Sequence, residues 1–252
     1  MNFSIDIQEE AGVRTLHFGS DWIQGAMRIA RPWDLELEYT REMMAGLLLR
    51  DGNPYPRNAL LIGLGSASLT KFLYRHFPDT HLTVVEIEPR VVTAARHFFK
   101  LPDDPERLEI IIDDGVEYLL KTTRTWDMIL VDGFDPDGKA GELDSTRFYS
   151  STRAHLTADG ILSVNLIGYT KRMFQESVDR IRTAYDGRAL SFPSCDSGNT
   201  IAFAAGANHI STSLADLKAA ASQLKENTGL NLHPAISRLE QAQTCPNGIL
   251  TL

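Results

Sequence analysis

The period of the hydrophobic positions changes twice along the chain. FSIDI and VRTLHF alternate apolar with polar residues, and Glu9-Glu10-Ala11-Gly12 between them supplies a turn. Residues 1 to 30 therefore predict an opening hairpin, with a third short strand at Asp21 to Met27. Over Leu35 to Leu49 the residues Leu37, Thr40, Met43, Met44 and Leu47 recur at helical spacing, which predicts a helix with one buried face. Asp51-Gly-Asn-Pro-Tyr-Pro breaks it. Beyond the break, apolar runs bounded by turn residues alternate with helical patterns. Strands are predicted at Ala59 to Leu64, Leu82 to Ile87, Leu108 to Ile112, Met128 to Val131 and Ile161 to Leu166. Helices are predicted at Leu69 to His76, Val91 to Phe99, Val116 to Lys121, Thr146 to His155 and Thr170 to Tyr185. Such alternation implies an α/β fold with a mostly parallel sheet covered by helices on both faces. Ala189 to Phe192 and Thr200 to Ala205 have no long helical pattern between them and predict an antiparallel pair at one edge. A helix follows from Thr212 (LADLKAAASQLKENTG), and a shorter one at His233 to Gln241. Residues 1–50 thus read as a β-hairpin region with a linking helix, and residues 51–252 as the main domain.

Charge narrows the function classes. The 252 residues carry 25 basic and 33 acidic side chains, a net −8, so there is no basic footprint for a nucleic acid and a cationic small partner is better matched. The two cysteines, Cys195 and Cys245, form neither a disulfide framework nor a metal-ligand pattern. The seven histidines show no helix-borne pair spaced for a metal, so none is expected. No run is apolar enough to span a membrane and MNFSIDIQEE does not read as a signal peptide, which leads us to expect a cytoplasmic protein.

Four features fall where a doubly wound sheet holds its ligand, just beyond the carboxyl ends of its strands. Gly63-Leu-Gly65-Ser-Ala-Ser68 joins a strand to a helix, and glycines there let backbone approach a ligand and aim helix amides at it; a tight turn that binds nothing is the alternative. Glu86 ends the next strand, about twenty residues on, where an acid can accept hydrogen bonds from two ribose hydroxyls. Its neighbour Glu88 should face solvent. Asp113-Asp114-Gly115 follows the third strand; one carboxylate can cap the next helix while the other receives an adenine amino group. Asp132-Gly-Phe-Asp135-Pro136 follows the fourth. Asp132, Asp135 and Asp137 together would attract an amine cation and raise one another's pKa values, and the glycines at 138 and 141 with Glu142 suggest a mobile lid rather than a plain solvated turn.

In this order the motifs resemble those of the polyamine aminopropyltransferase family, of which spermidine synthase is the best-known member, from Gln24 to about Phe203. The resemblance implies a Rossmann-like, methyltransferase-type domain behind a small N-terminal β region, a homodimer, no tightly bound cofactor, and decarboxylated S-adenosylmethionine as co-substrate beside a small-molecule amine. It equates the family's glycine-rich turn with Gly63 to Ser68, its ribose-binding acid with Glu86 and its adenine-contacting Asp with Asp114. The catalytic loop DSSDP corresponds to Asp132-Gly-Phe-Asp135-Pro136, which places the catalytic aspartate at Asp135, helped by Asp132 and oriented by Tyr39. Gln24 and Tyr39 match the Gln and Tyr that precede the first long helix, and Asp196-Ser-Gly-Asn-Thr-Ile-Ala-Phe203 is similar to PSGQIGF.

Three departures bear on the reaction. The acid that holds the aminopropyl ammonium in the family is Ser66 here, Cys195 replaces a pocket tyrosine, and the N-terminal region is short. Loss of the acid leaves room for ordinary S-adenosylmethionine, whose carboxylate an acid would repel. A methyltransferase is therefore the alternative enzyme, and a non-catalytic nucleoside- or polyamine-binding relative the alternative of another class. Met43 and Met44 read as core filling, and Trp22 and Trp33 as interface or pocket-wall residues.

Overall fold

The computed structural model describes residues 3–50, 55–168, 170–195 and 198–252. The sequence break at 51–54 and Asp196-Ser197 lie outside the described residues. The chain opens with an antiparallel sheet of β1 (Asp6–Glu10), β2 (Val13–His17) and β3 (Ile23–Arg28), in that order. Glu10 faces Val13 across a two-residue turn whose Ala11 and Gly12 both have positive φ, the hand that matches strand twist.

The helix predicted over Leu35 to Leu49 is two pieces, α1 (Glu38–Met43) and a 3-10 segment Met44–Leu48. Gly46 is the reason. A side-chain carbon there would lie 3.0 Å from Met128 Cε and 3.2 Å from Ile161 Cγ2, so the backbone is pressed flat onto the sheet and tightens as it passes.

The second region alternates as expected: β4 (Asn58–Ile62), α2 (Ser68–His76), β5 (His81–Glu86), α3 (Pro89–Phe98), β6 (Leu108–Ile112), α4 (Gly115–Lys121), β7 (Trp126–Val131), α5 (Thr146–Ala154), β8 (Leu156–Ile167), α6 (Lys171–Ala184), β9 (Ala189–Ser191) and β10 (Asn199–Ala205). The sheet order is β6-β5-β4-β7-β8-β10-β9, with β4 to β8 parallel and the last two strands antiparallel at one edge. This is the Rossmann-like arrangement. Strand β8 runs five residues earlier than Ile161, because Asp159-Gly160 reads as a turn although Leu156 already pairs with Trp126.

Both sheet faces are buried, which is why β4 and β7 read as unbroken apolar runs. On one face Phe72 and Leu73 of α2, Val91 of α3 and Met43 of α1 pack on Leu61, Val84 and Met128. On the other, Tyr118 of α4, Phe148 and Tyr149 of α5 and Ile181 of α6 pack on Leu60, Val85 and Ile129.

Beyond the sheet come β11 (Ser211–Ser213), α7 (Leu214–Thr228), α8 (His233–Gln241) and β12 (Ile249–Thr251). Ser213 caps α7 by accepting from the Asp216 amide at 3.0 Å, and Gly229 ends it at φ +78°. β11 and β12 pair with each other and are too short to carry a readable period. Leu217, Ile236 and Leu239 seat this C-terminal segment in the same core layer as α1. Among the described residues no helix is long and apolar enough to cross a membrane.

Candidate functional site

The chain passes from β4 outward through β5 to β6 and then returns to β7 on the other side of β4. The loops leaving β4 and β7 diverge at that switch, and the crevice between them is where such sheets bind ligands. All four motifs lie at the carboxyl ends of these four adjacent strands.

The glycine turn is built for close approach. Gly63 sits at φ +94°, and a side chain there would overlap the Asp132 carbonyl; its amide donates to Val85 O at 2.9 Å while the Asp132 amide donates to Ile62 O at 2.9 Å. The first and fourth motifs therefore touch through backbone. Gly65, at φ +51°, lies under the Gln24 carbonyl of β3, which would stand 3.1 Å from a side-chain carbon at that position. Ser66 is the next residue of the turn. It is buried beneath β3, its hydroxyl shared with Ser68 Oγ at 3.0 Å, and a side-chain carbon at Gly25 would fall 2.5 Å from it.

Glu86 is buried and held at both oxygens: Oε2 accepts from the Leu64 amide and Oε1 from the Glu88 amide, each at 2.9 Å. Burial pushes its carboxyl above the ordinary value, while the amides of Glu88, Leu64 and Ile87 pull it back. Each oxygen keeps a further lone pair, so the carboxylate fastens the glycine turn to β5 and can still take a hydroxyl. Glu88, expected to face solvent, is instead largely covered, its side chain 11% exposed, because its carboxylate pairs with Arg90 at 2.8 Å and accepts from the Arg90 amide at 3.1 Å.

Of the aspartate pair, Asp114 is the cap of α4: its Oδ1 accepts from Val116 at 2.8 Å and Glu117 at 3.2 Å, and Oδ2 has no protein donor among the described residues. Asp113 accepts from the Asp114 amide at 2.9 Å and lies 3.5 Å from Lys121 Nζ. Ile87, just after β5, and Ile112, the last residue of β6, are half-exposed.

Asp132 and Asp135 have different surroundings. Tyr39 of α1 donates its hydroxyl to Asp132 Oδ2 at 3.1 Å, and Asn165 Nδ2 donates to Asp132 Oδ1 at 2.9 Å. Burial raises the Asp132 carboxyl above its ordinary value, with the Asn165 and Tyr39 donors opposing it. Asp135 Oδ1 instead accepts from the Asp137 and Lys139 amides, each at 2.9 Å, and the Asp135 amide donates to Lys139 O at 3.0 Å. Tyr39 thus meets Asp132 where the resemblance had it orient Asp135. Asp137 is exposed and pairs with Lys139 at 3.6 Å, outside any cluster of acids.

The lid segment carries a short 3-10 turn, Gly141–Asp144, with the Leu143 side chain packed over Gly133 and Gly115. Trp22 lies against Gly138, where a side chain would overlap its ring, so the N-terminal sheet reaches the lid. Trp33 is elsewhere, with Arg75 stacked 5.9 Å above it. Cys195 follows the β9 segment, and Ser194 Oγ beside it donates to Asn199 O at 2.6 Å. Asn165 is the functional candidate absent from the sequence reading. Its available signal was Ser163 and Asn165 alternating on one face of the apolar ILSVNL. Among the described residues no three His, Cys, Asp or Glu side chains converge as a metal site.

A switch-point crevice with a glycine turn and a buried acid at the next strand end defines a Rossmann-like, methyltransferase-type architecture. The family model described as the spermine/spermidine synthase domain matches residues 37–192, and the chain belongs to that family. It is 35% identical over 236 residues to a protein of Neisseria meningitidis serogroup A named polyamine aminopropyltransferase, covering 94% of this chain and 89% of the relative. A protein of the same name from Chromobacterium violaceum is 33% identical over 248 residues, 98% and 94% of the two chains. Among solved structures, a probable spermidine synthase from Corynebacterium glutamicum superposes with a TM-score of 0.72 at 15% identity, over 88% of this chain and 84% of that one. A spermidine synthase in complex with the transition-state analogue AdoDATO gives 0.61 at 22%, over 80% and 73%. At these identities the structural likeness concerns the fold.

Proposed function

We propose that the protein transfers an aminopropyl group from decarboxylated S-adenosylmethionine to a small amine, such as putrescine, and releases 5'-methylthioadenosine. The observation that carries this reading is the partly buried Asp132 carboxylate, braced by Tyr39 and Asn165, beside a glycine turn that only backbone and ligand can share. Relatives named polyamine aminopropyltransferase, matched over nearly their whole length, support it.

In this reading Glu86 accepts the ribose hydroxyls, Asp114 Oδ2 the adenine amino group, and Ile87, Ile112 and Leu143 offer the base apolar walls. Gln24 and Gly65 close the crevice over the donor. The sulfonium is already a good leaving group, so the protein's part is alignment and proton removal. The amine lone pair attacks the carbon next to sulfur, the carbon–sulfur bond breaks toward sulfur, and Asp132 takes the proton the nitrogen sheds. We assign the base to Asp132 and a loop-ordering role to Asp135. Asp132→Asn is expected to lower turnover by about a hundred- to ten-thousand-fold, the usual span for a general base, with nucleoside binding retained; Asp135→Asn, whose amide oxygen still accepts from the loop, should cost far less. Steady-state kinetics with calorimetry checks both.

Ser66 favours a second reading, methyl transfer from S-adenosylmethionine, since no acid meets the donor's tail and the serine hydroxyl is turned under β3. Incubation of each donor with a panel of amines, followed by mass spectrometry, separates the two by coproduct: methylthioadenosine or S-adenosylhomocysteine. Donor binding without product from any amine would leave the non-catalytic relative. The family resemblance supports a homodimer in the cytoplasm, which sedimentation and fractionation would test.

A further inference from the structure

We propose that Arg238 of α8 is a positioning residue for the reaction, clamping α1 so that the Tyr39 hydroxyl stays on Asp132. The inference rests on the reading above for the importance of Asp132, but its geometry stands alone.

Helix α1 has six residues, its N-cap Leu37 offers no side-chain cap, and the segment after it changes to 3-10. A helix so short does not hold its own register in water. Yet it must place one phenol within hydrogen-bond reach of a carboxylate 93 residues away. Local bonds tie its ends: Thr40 Oγ1 donates to Leu37 O at 2.6 Å, and Arg41 donates to Leu35 O and Glu36 O at 2.8 and 2.6 Å. Beyond the helix itself, Met43 packs in the core and its carbonyl accepts from Ser163 Oγ at 3.0 Å, which seats the far end of α1 on the sheet, but none of these ties the Tyr39 end to another element by a charged pair.

Arg238 does. Glu38 and Glu42, four residues apart, lie on one face of α1 on either side of Tyr39 in sequence. Arg238 Nη2 pairs with Glu42 Oε2 while Nη1 lies 3.7 Å from Glu38 Oε1, so one planar guanidinium spans both carboxylates. Glu42 is 1% exposed, and its other oxygen, like Arg238 Nε, is buried without a hydrogen-bond partner. A carboxylate that deep gains nothing from water, so its geometry is set by the arginine. Arg238 is in turn fixed because Ala235, Ile236 and Leu239 of α8 are core residues. The C-terminal segment lends no group to the crevice, and its route to the chemistry is this clamp.

The test reads Asp132 directly. Its carboxyl is followed by carbon-13 NMR against pH, assigned through Asp132→Asn, in the full chain without substrate, and the pH profile of kcat/KM is measured in parallel. Asp132 faces Tyr39 from α1 and Asn165 from β8, so loss of the phenol moves the titration upward, and Tyr39→Phe calibrates that shift. Arg238→Lys keeps a charge but cannot bridge two carboxylates. Arg238→Met with Glu42→Gln removes the buried Glu42 charge together with its partly exposed partner and so avoids stranding it. Each is expected to raise the Asp132 midpoint in the same direction as Tyr39→Phe, and to add nothing when combined with it. An unchanged midpoint in folded variants, or shifts that add fully to that of Tyr39→Phe, would overturn the proposal. If the wild-type chain turns over no amine with either donor, the reaction fails as a reading while the NMR titration still decides the clamp.

Discussion

At the scale of single residues, Asp132 pits its burial against two donors. Burial raises its pKa and the donors restrain it, so as a base it works only above that raised value and activity should fall as pH drops through it. Tyr39→Phe removes a bond to the ionised form. The pKa rises further, and the acid limb of kcat/KM is expected to move to higher pH, with Asn165→Leu doing the same. The stability consequence has the opposite sign to the usual salt-bridged aspartate: a raised folded pKa means the native state is favoured below it and penalised above it. Asp132→Asn should therefore melt at a higher temperature than wild type at neutral pH while losing turnover, and calorimetric scans at pH 7 check it. The strand-end placement of Glu86, Asp114 and Gly63 was legible from spacing. Which of Asp132 and Asp135 is braced was not, because a hydrogen bond across 93 residues leaves no local pattern.

Among elements, α1 and the lid show where sequence pattern stops. The strands and helices of the sheet were readable because both faces are buried and each run is long enough to show its period. The linking helix was read too long because the apolar spacing of Met43 to Leu48 fits an α-helix, and only the approach of Met128 and Ile161 to Gly46 decides otherwise. The lid was legible as a loop but not as a turn closed on the Asp135 carboxylate. Asp135→Ala removes the acceptor for two amides. It should loosen residues 135–139, raising KM for the amine more than it lowers kcat, and faster amide exchange at Asp137 and Lys139 would report the loosening.

For the whole molecule, Lys71 is the group most at odds with its place. It is 1% exposed on α2, its Nζ has no hydrogen-bond partner, and burial, with Lys100 adding to it, lowers its pKa to about 7. The unfolded chain binds this proton below about 10.5 and the folded chain only near 7, so stability rises with pH across that window, by on the order of a few kcal/mol. Lys71→Met is expected to raise the urea midpoint at pH 7 and flatten its rise toward pH 10. The overall architecture was legible because strand and helix patterns alternate along the chain, which implies a parallel sheet covered on both faces; the strand order itself was not read. The attachment of the C-terminal helices to α1 was not legible, since the core residues and the Arg238 pairs that make it lie far apart in the chain.

The contact of Trp22 with Gly138 gives the protein an intrinsic optical gauge. Of its three tryptophans, Trp126 is sealed in the core and Trp33 sits under Arg75, so only the indole of Trp22 rests on the loop segment at Gly138. Its emission wavelength and quenching by iodide should follow the opening and closing of that segment as donor and amine come and go, with no dye attached.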